Sequence, residues 1–205
     1  MGVVMTRRTL DIIFATGGLL AAGLVLVLGL VLQNQADFAK NYVHNQLNEQ
    51  KITFTPADKL AANENDPCLK KYAGTALDSG AKAACYANHY IAVHLSEVND
   101  GKTYAQSSNA LRALPDQNSA EAKALSGKVD TLFRGETLRG LLLTSYGFSI
   151  FGDRAQTAAY VCYALAFVLF IAAIAGFVHA ARKSSDRVIL ASTAPAPEES
   201  ATVSS

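Results

Sequence analysis

Two stretches without a charged side chain, Ile12–Ala36 and Ala155–Ala181, limit what this chain can fold into more than any other feature. A helix that long and that apolar must bury its whole surface in protein or in lipid. Within the first stretch, residues 12–32 are mostly Leu, Val, Ile, Ala and Gly, and at 1.5 Å per residue they span about 30 Å, the thickness of a hydrocarbon core. The second, 155–181, is centred on Phe167–Phe177, with Tyr160 and Tyr163 near one end and Arg182 and Lys183 at the other. Aromatic rings and cations favour those interfacial depths. The pattern predicts an all-α membrane protein in which two transmembrane helices flank an extracytoplasmic helical bundle.

A cleaved signal peptide is the competing reading of the first stretch, since Arg7 and Arg8 precede it. Signal cores, however, run about 7 to 15 residues and end at small residues, whereas Leu32-Gln33-Asn34-Gln35-Ala36 follows here. Thr9-Leu10-Asp11 is likewise a weak match to a twin-arginine signal. The two tails carry Arg7, Arg8, Arg182, Lys183 and Arg187 near the membrane, and the intervening segment is long enough to translocate whatever its charge, so both termini are expected in the cytoplasm of a multi-pass cell-membrane protein. The expected organisation is a cytoplasmic tail (1–11), a span (12–32), an extracytoplasmic helical domain (33–154), a second span (155–181) and a disordered cytoplasmic tail (182–205) rich in Ser, Ala, Pro and Glu. The middle domain carries 13 Lys/Arg against 13 Asp/Glu and has no basic cluster, which argues against nucleic-acid binding.

Of three cysteines, Cys162 lies in the second span, and Cys68 and Cys85 lie in the exported domain. A lone pair in that compartment is expected as a disulfide, worth about 3 kcal/mol in the chain-entropy account. Helical spacing at Phe38, Tyr42, Val43, Gln46 and Leu47 carries the first helix past the lipid, with Pro56 as its stop. Asp66-Pro67 opens a helix whose stripe is Leu69, Tyr72, Ala73, Ala76 and Leu77. A third helix is expected over 81–98, a fourth over 102–113, and a fifth from a capping box at Asn118 and Glu121. Glycines at 135, 140 and 147 interrupt the last pattern, and Leu138–Phe151 is apolar enough to lie on the bilayer or to lead into the second span.

The chemistry-bearing residues are few. His94 and Glu97 share a helix face, but His89, five residues before His94, points elsewhere, so one helix cannot bring all three to one metal, and no metal or other cofactor is expected. His44 and His179 stand apart from them. Tyr86, Tyr90 and His94 recur every four residues and read as a packing seam with polar tips. Neither a phosphate loop nor a nucleophile elbow occurs, so no catalytic residue is nominated and the protein is expected not to be an enzyme. Arg134, Glu136 and Arg139 form the charged segment nearest the membrane and are candidate partner or lipid contacts, with intramolecular pairing as the alternative. In the spans, small residues repeat every four positions: Ala158, Cys162 and Ala166, then Ala172, Gly176 and Ala180, facing Gly18 and Ala22 in the first span. Such a seam lets helices approach closely, either each other or a further partner.

Four segments carry a resemblance: Lys71-Tyr72-Ala73-Gly74, Tyr86–Leu95 (YANHYIAVHL), Gly101-Lys102-Thr103-Tyr104 and Leu132–Leu142 (LFRGETLRGLL). On these the chain resembles a family of actinobacterial envelope proteins with two transmembrane helices, whose members often carry the name of an aromatic ring-opening dioxygenase. That name implies an iron site of two histidines and one carboxylate, which the histidine spacing does not supply on one helix. In size and layout the chain is also similar to small accessory proteins of actinobacterial respiratory supercomplexes. The expected function is a non-enzymatic accessory or scaffold protein of a membrane complex, partnered by the bilayer and by other membrane proteins such as respiratory subunits. A ligand-binding sensor is the alternative, although no output domain follows the second span.

Overall fold

The computed structural model describes residues 4–182 and 188–191, with side chains described for 6–182. Two long helices dominate it, α1 (Arg7–Glu49) and α6 (Ala120–Arg182), and each is long and apolar enough to cross a membrane. Neither contains a proline, so no backbone donor is missing along either ladder. The glycines of α6 do not interrupt it, and Leu138–Phe151 is part of the same uninterrupted helix. Contacts divide the chain into two units, Met1–Val31 with Ala158–Ser205 and Leu32–Thr157, and the division falls inside both long helices.

In the first unit the buried positions follow a period of seven. Ala15, Ala22 and Gly29 of α1 and Ala159, Ala166, Ala173 and Ala180 of α6 are the residues withdrawn from the surface, while Leu, Val, Ile and Phe point outward. A seven-residue repeat of the smallest side chains is a coiled-coil seam in which knobs are methyls and backbones come close. The approach leaves little room: a Cβ added at Gly29 would lie 2.8 Å from the Tyr163 ring, and one at Gly176 would lie 3.1 Å from Ala15 Cβ. Strands β1 (Val4–Thr6) and β2 (Val188–Ala191) pair antiparallel, Val4 opposite Ala191. This corrects the expectation of a wholly disordered 182–205 tail: Arg182 still belongs to α6, and Val188–Ala191 is a short β-branched and apolar run whose backbone groups find partners in β1. The remainder of that tail lies outside the described residues.

The second unit packs short elements against the α1 and α6 segments within it. Helix α1 ends at Glu49, and the chain turns at Lys51, which takes a left-handed φ of 54°. The stop therefore precedes Pro56. Ile52–Phe54 then runs extended, Phe54 receiving a hydrogen bond at its carbonyl from Gly74 and donating its N–H to Thr75. Asp66 caps α2 (Pro67–Tyr72) by accepting the Cys68 N–H at 2.7 Å. This helix is shorter than its apolar stripe suggests because Gly74, at φ +70°, turns the chain back. The expected third helix is present as α3 (Gly80–Cys85), a π-helical turn (Tyr86–Ile91) and α4 (Ala92–Val98) in unbroken succession. Helix α5 (Tyr104–Arg112) opens on a Thr103–Gln106 capping box. The cap of α6 is Ser119, whose Oγ accepts the Ala122 N–H, one residue after the expected Asn118. The core joins Val43, Leu47, Phe54, Leu69, Leu77, Ala87, Ile91, Leu95, Leu132 and Leu142.

Candidate functional site

The π turn determines where the polar groups of the second unit meet. A π turn inserts one residue into a helix and widens it locally, a feature that recurs at functional sites. Here it carries Tyr86, His89 and Tyr90. Tyr86 meets Phe54 edge-on at 5.3 Å and stacks on Tyr90 at 4.6 Å, and Tyr90 lies 4.4 Å from the His94 ring. His94 Nδ1–H donates to the Tyr90 carbonyl at 2.8 Å, so its Nε2 faces Glu64 Oε1 at 3.4 Å. Glu64 is buried, and its other oxygen accepts the Ala61 N–H. Burial, reinforced by the charge and hydrogen bond of Tyr90 and by Glu64, raises the Tyr86 phenol to about 12.

His89 joins a different cluster. Its Nδ1 lies 2.9 Å from Asp66 Oδ2, beside Cys68, whose sulfur lies at disulfide-bonding distance from that of Cys85 with the Cα atoms 6.0 Å apart. Glu97 turns away from both histidines to accept from Asn63 at 2.9 Å. His44 donates from Nδ1 to the Asp78 carbonyl at 3.1 Å. In the first unit, His179 Nε2 lies 3.7 Å from Asp11. No two of the four histidines thus share a partner.

The charged segment in the first third of α6 is largely paired within the molecule. Arg134 bonds Asp130, one turn away on α6, and Arg139 bonds Glu136 and Asn88. Of the small residues predicted as a seam, Gly18 meets Ala173, which was not among them, a Cβ at 18 standing 3.7 Å from Ala173 Cβ; Cys162 backs Gly29, Gly176 backs Ala15, and Ala22, Ala166 and Ala180 are buried. Ala158 is half-buried, and Ala172 is exposed. The buried repeat runs through Ala159 and Ala173 instead, because two supercoiled helices meet every seven residues and a four-residue repeat drifts off the seam after one step.

Two apolar grooves were missed by reasoning from the sequence. One, in the first unit, has a volume of about 720 Å³ and is lined by Leu19, Ala22, Gly23, Leu26, Tyr163 and Phe167, among others. The second, in the second unit, encloses about 390 Å³ between α1 and α6, with Tyr42, Leu47, Ile52, Leu138, Leu141 and Phe148 among its walls. Around it the large apolar side chains are open to the surface: Leu141 is 62% exposed and Tyr42 50%, with Phe38 stacked on Tyr42 and Phe148 edge-on to it. The sequence signal was present in the Leu138–Phe151 run, but apolarity alone did not distinguish lipid from protein as its cover. No family model, curated protein or solved structure matches this chain.

Proposed function

We propose that this protein is an integral membrane accessory subunit whose outer domain docks onto another membrane protein through the groove at Tyr42, Leu138, Leu141 and Phe148. The observation that carries this reading is an apolar surface separated from the apolar spans by charge. Lys40 forms an ion pair with Asp153 at 3.4 Å and a further hydrogen bond with Gln156, and Asp37 and Arg154 flank them. Such a collar is stable in the headgroup region and costly in hydrocarbon. Leu141 lies twelve residues along α6 from Asp153, about 18 Å at the helical rise, which exceeds the depth of a headgroup layer. Lipid tails do not reach that height, so for Leu138 and Leu141 a protein surface is the cover that removes the side chains from water. In this reading the spans 12–32 and 155–181 anchor the chain in the cell membrane with both ends cytoplasmic. A respiratory assembly is the proposed host, on the resemblance of layout alone.

The test is purification of the full chain from its native membrane in mild detergent, as wild type and as Leu141→Asp/Phe148→Asp. Both residues are surface-exposed, so the outer domain is expected to keep its disulfide and its protease resistance. Co-purifying membrane subunits should fall about tenfold or more, the loss typical of a central apolar anchor. Equal recovery with both proteins would remove the groove from the mechanism. Absence of any partner with wild type would favour the sensor alternative.

A further inference from the structure

We propose that reduction of the Cys68–Cys85 disulfide creates a zinc-type metal site whose ligands are Asp66, Cys68, Cys85 and His89. The carboxylate of Asp66, the sulfur of Cys68 and an imidazole nitrogen of His89 all lie within 4.8 Å of one another. A tetrahedral zinc ion with bonds of 2.0–2.3 Å separates its ligand atoms by about 3.3–3.8 Å, so a small contraction closes the set. Cys85 is not part of that three-residue cluster and is proposed as the fourth ligand: its Cα lies 6.0 Å from that of Cys68, and once the disulfide is reduced the two sulfurs can part to the spacing of two thiolates on one ion. Two of the ligands are already oriented by local structure. Asp66 is fixed as the N-cap of α2, with one oxygen on the Cys68 N–H and the other on His89 at 2.9 Å. His89 is carried to it by the π turn that begins directly after Cys85.

Oxidation state decides whether the site exists. Disulfide sulfurs bear no charge and bind zinc poorly, which leaves Asp66 and His89 as a two-ligand remnant paired with each other. Reduction needs a dithiol donor: the donor's two thiols give up two electrons and two protons, its own sulfurs join as a disulfide, and Cys68 and Cys85 become thiols. A divalent zinc-group ion then displaces one proton from each thiol and takes two thiolates, one carboxylate and one neutral imidazole. Access is from the outside, since the Asp66 and His89 side chains are 29% and 44% exposed while Cys85 is buried behind them. Cross-linking and metal binding are thus alternative ways of holding α2 to the helix that starts at Gly80.

The experiment uses the full chain in detergent with cobalt(II) as a spectroscopic substitute for zinc. After reduction by a phosphine, one equivalent of cobalt should bind with thiolate-to-cobalt charge-transfer absorption, and the oxidised protein should show none. His89→Gln and Asp66→Asn should each weaken binding about tenfold or more. Asn is as good an N-cap as Asp, so the second variant removes the ligand charge without removing the cap. His94→Gln, five residues from the nearest ligand and paired with Glu64, should leave binding unchanged. Binding indifferent to both ligand variants would overturn the proposal, as would absence of charge-transfer absorption. Loss of the outer domain's protease resistance on reduction, unrestored by cobalt, would overturn it too.

Discussion

Tyr86 shows what a single side chain can report about the Leu32–Thr157 unit. Its phenol is raised to about 12 chiefly because burial penalises the phenolate. In an unfolded chain it ionises near 10. Between those values the unfolded state releases a proton that the folded state retains, so stability contributed by the buried neutral phenol is intact below pH 10 and is lost as pH rises through 12. Protease resistance of this unit should therefore decline across that window, and Tyr86→Phe should flatten the decline. In a phenolate absorbance titration, the late-ionising absorbance that Tyr86 contributes should vanish in Tyr86→Phe. Superimposable titration curves would contradict the burial argument. The repeat of Tyr86, Tyr90 and His94 was legible in the sequence. Glu64, which faces His94, was not, because it stands 30 residues away in a 3-10 turn with no periodicity to place it.

At the scale of elements, the long helices were legible from hydropathy, whereas their contact face was legible only in part: Ala22, Ala166 and Ala180 lie on it, and Ala172 does not. The second span is so rich in alanine that period-four and period-seven repeats can both be drawn through it, and only supercoil geometry selects between them. The π turn was also hidden, since Tyr86–Ile91 carries the same apolar spacing as an ordinary helix and the extra residue is absorbed by packing. The choice of seam has a direct consequence. A cysteine pair made by Gly18→Cys and Ala173→Cys should oxidise readily, because Cβ atoms there stand 3.7 Å apart, within the range for a disulfide. Ala166→Leu, placed in the same background, forces a large side chain into a methyl-sized gap, an overpacking cost of about 1–3 kcal/mol, and should lower the cross-linking yield. Ala172→Leu adds the same volume on the exposed face and should not. Equal loss with both would restore the four-residue seam.

At the scale of the whole molecule, orientation is the claim on which the docking surface and the oxidising environment of Cys68 and Cys85 both depend. On the proposed topology, the cations at Arg7, Arg8, Arg182, Lys183 and Arg187 hold both tails on the cytoplasmic side, while a middle domain of this length is translocated whatever its charge. Cysteine labelling tests it in a Cys162→Ser background, which removes the free thiol and leaves the other two cysteines paired. In intact cells whose envelope admits the probe, a membrane-impermeant thiol reagent should label Lys102→Cys, a position exposed just before α5. Ser192→Cys should be labelled only after the membrane is opened. Labelling of 192 in intact cells, with 102 protected until lysis, would invert the protein. The groove at Leu141 and Phe148 would then face the cytoplasm, its partner would have to be sought there, and the reduced form of the Cys68–Cys85 pair would become the resting state.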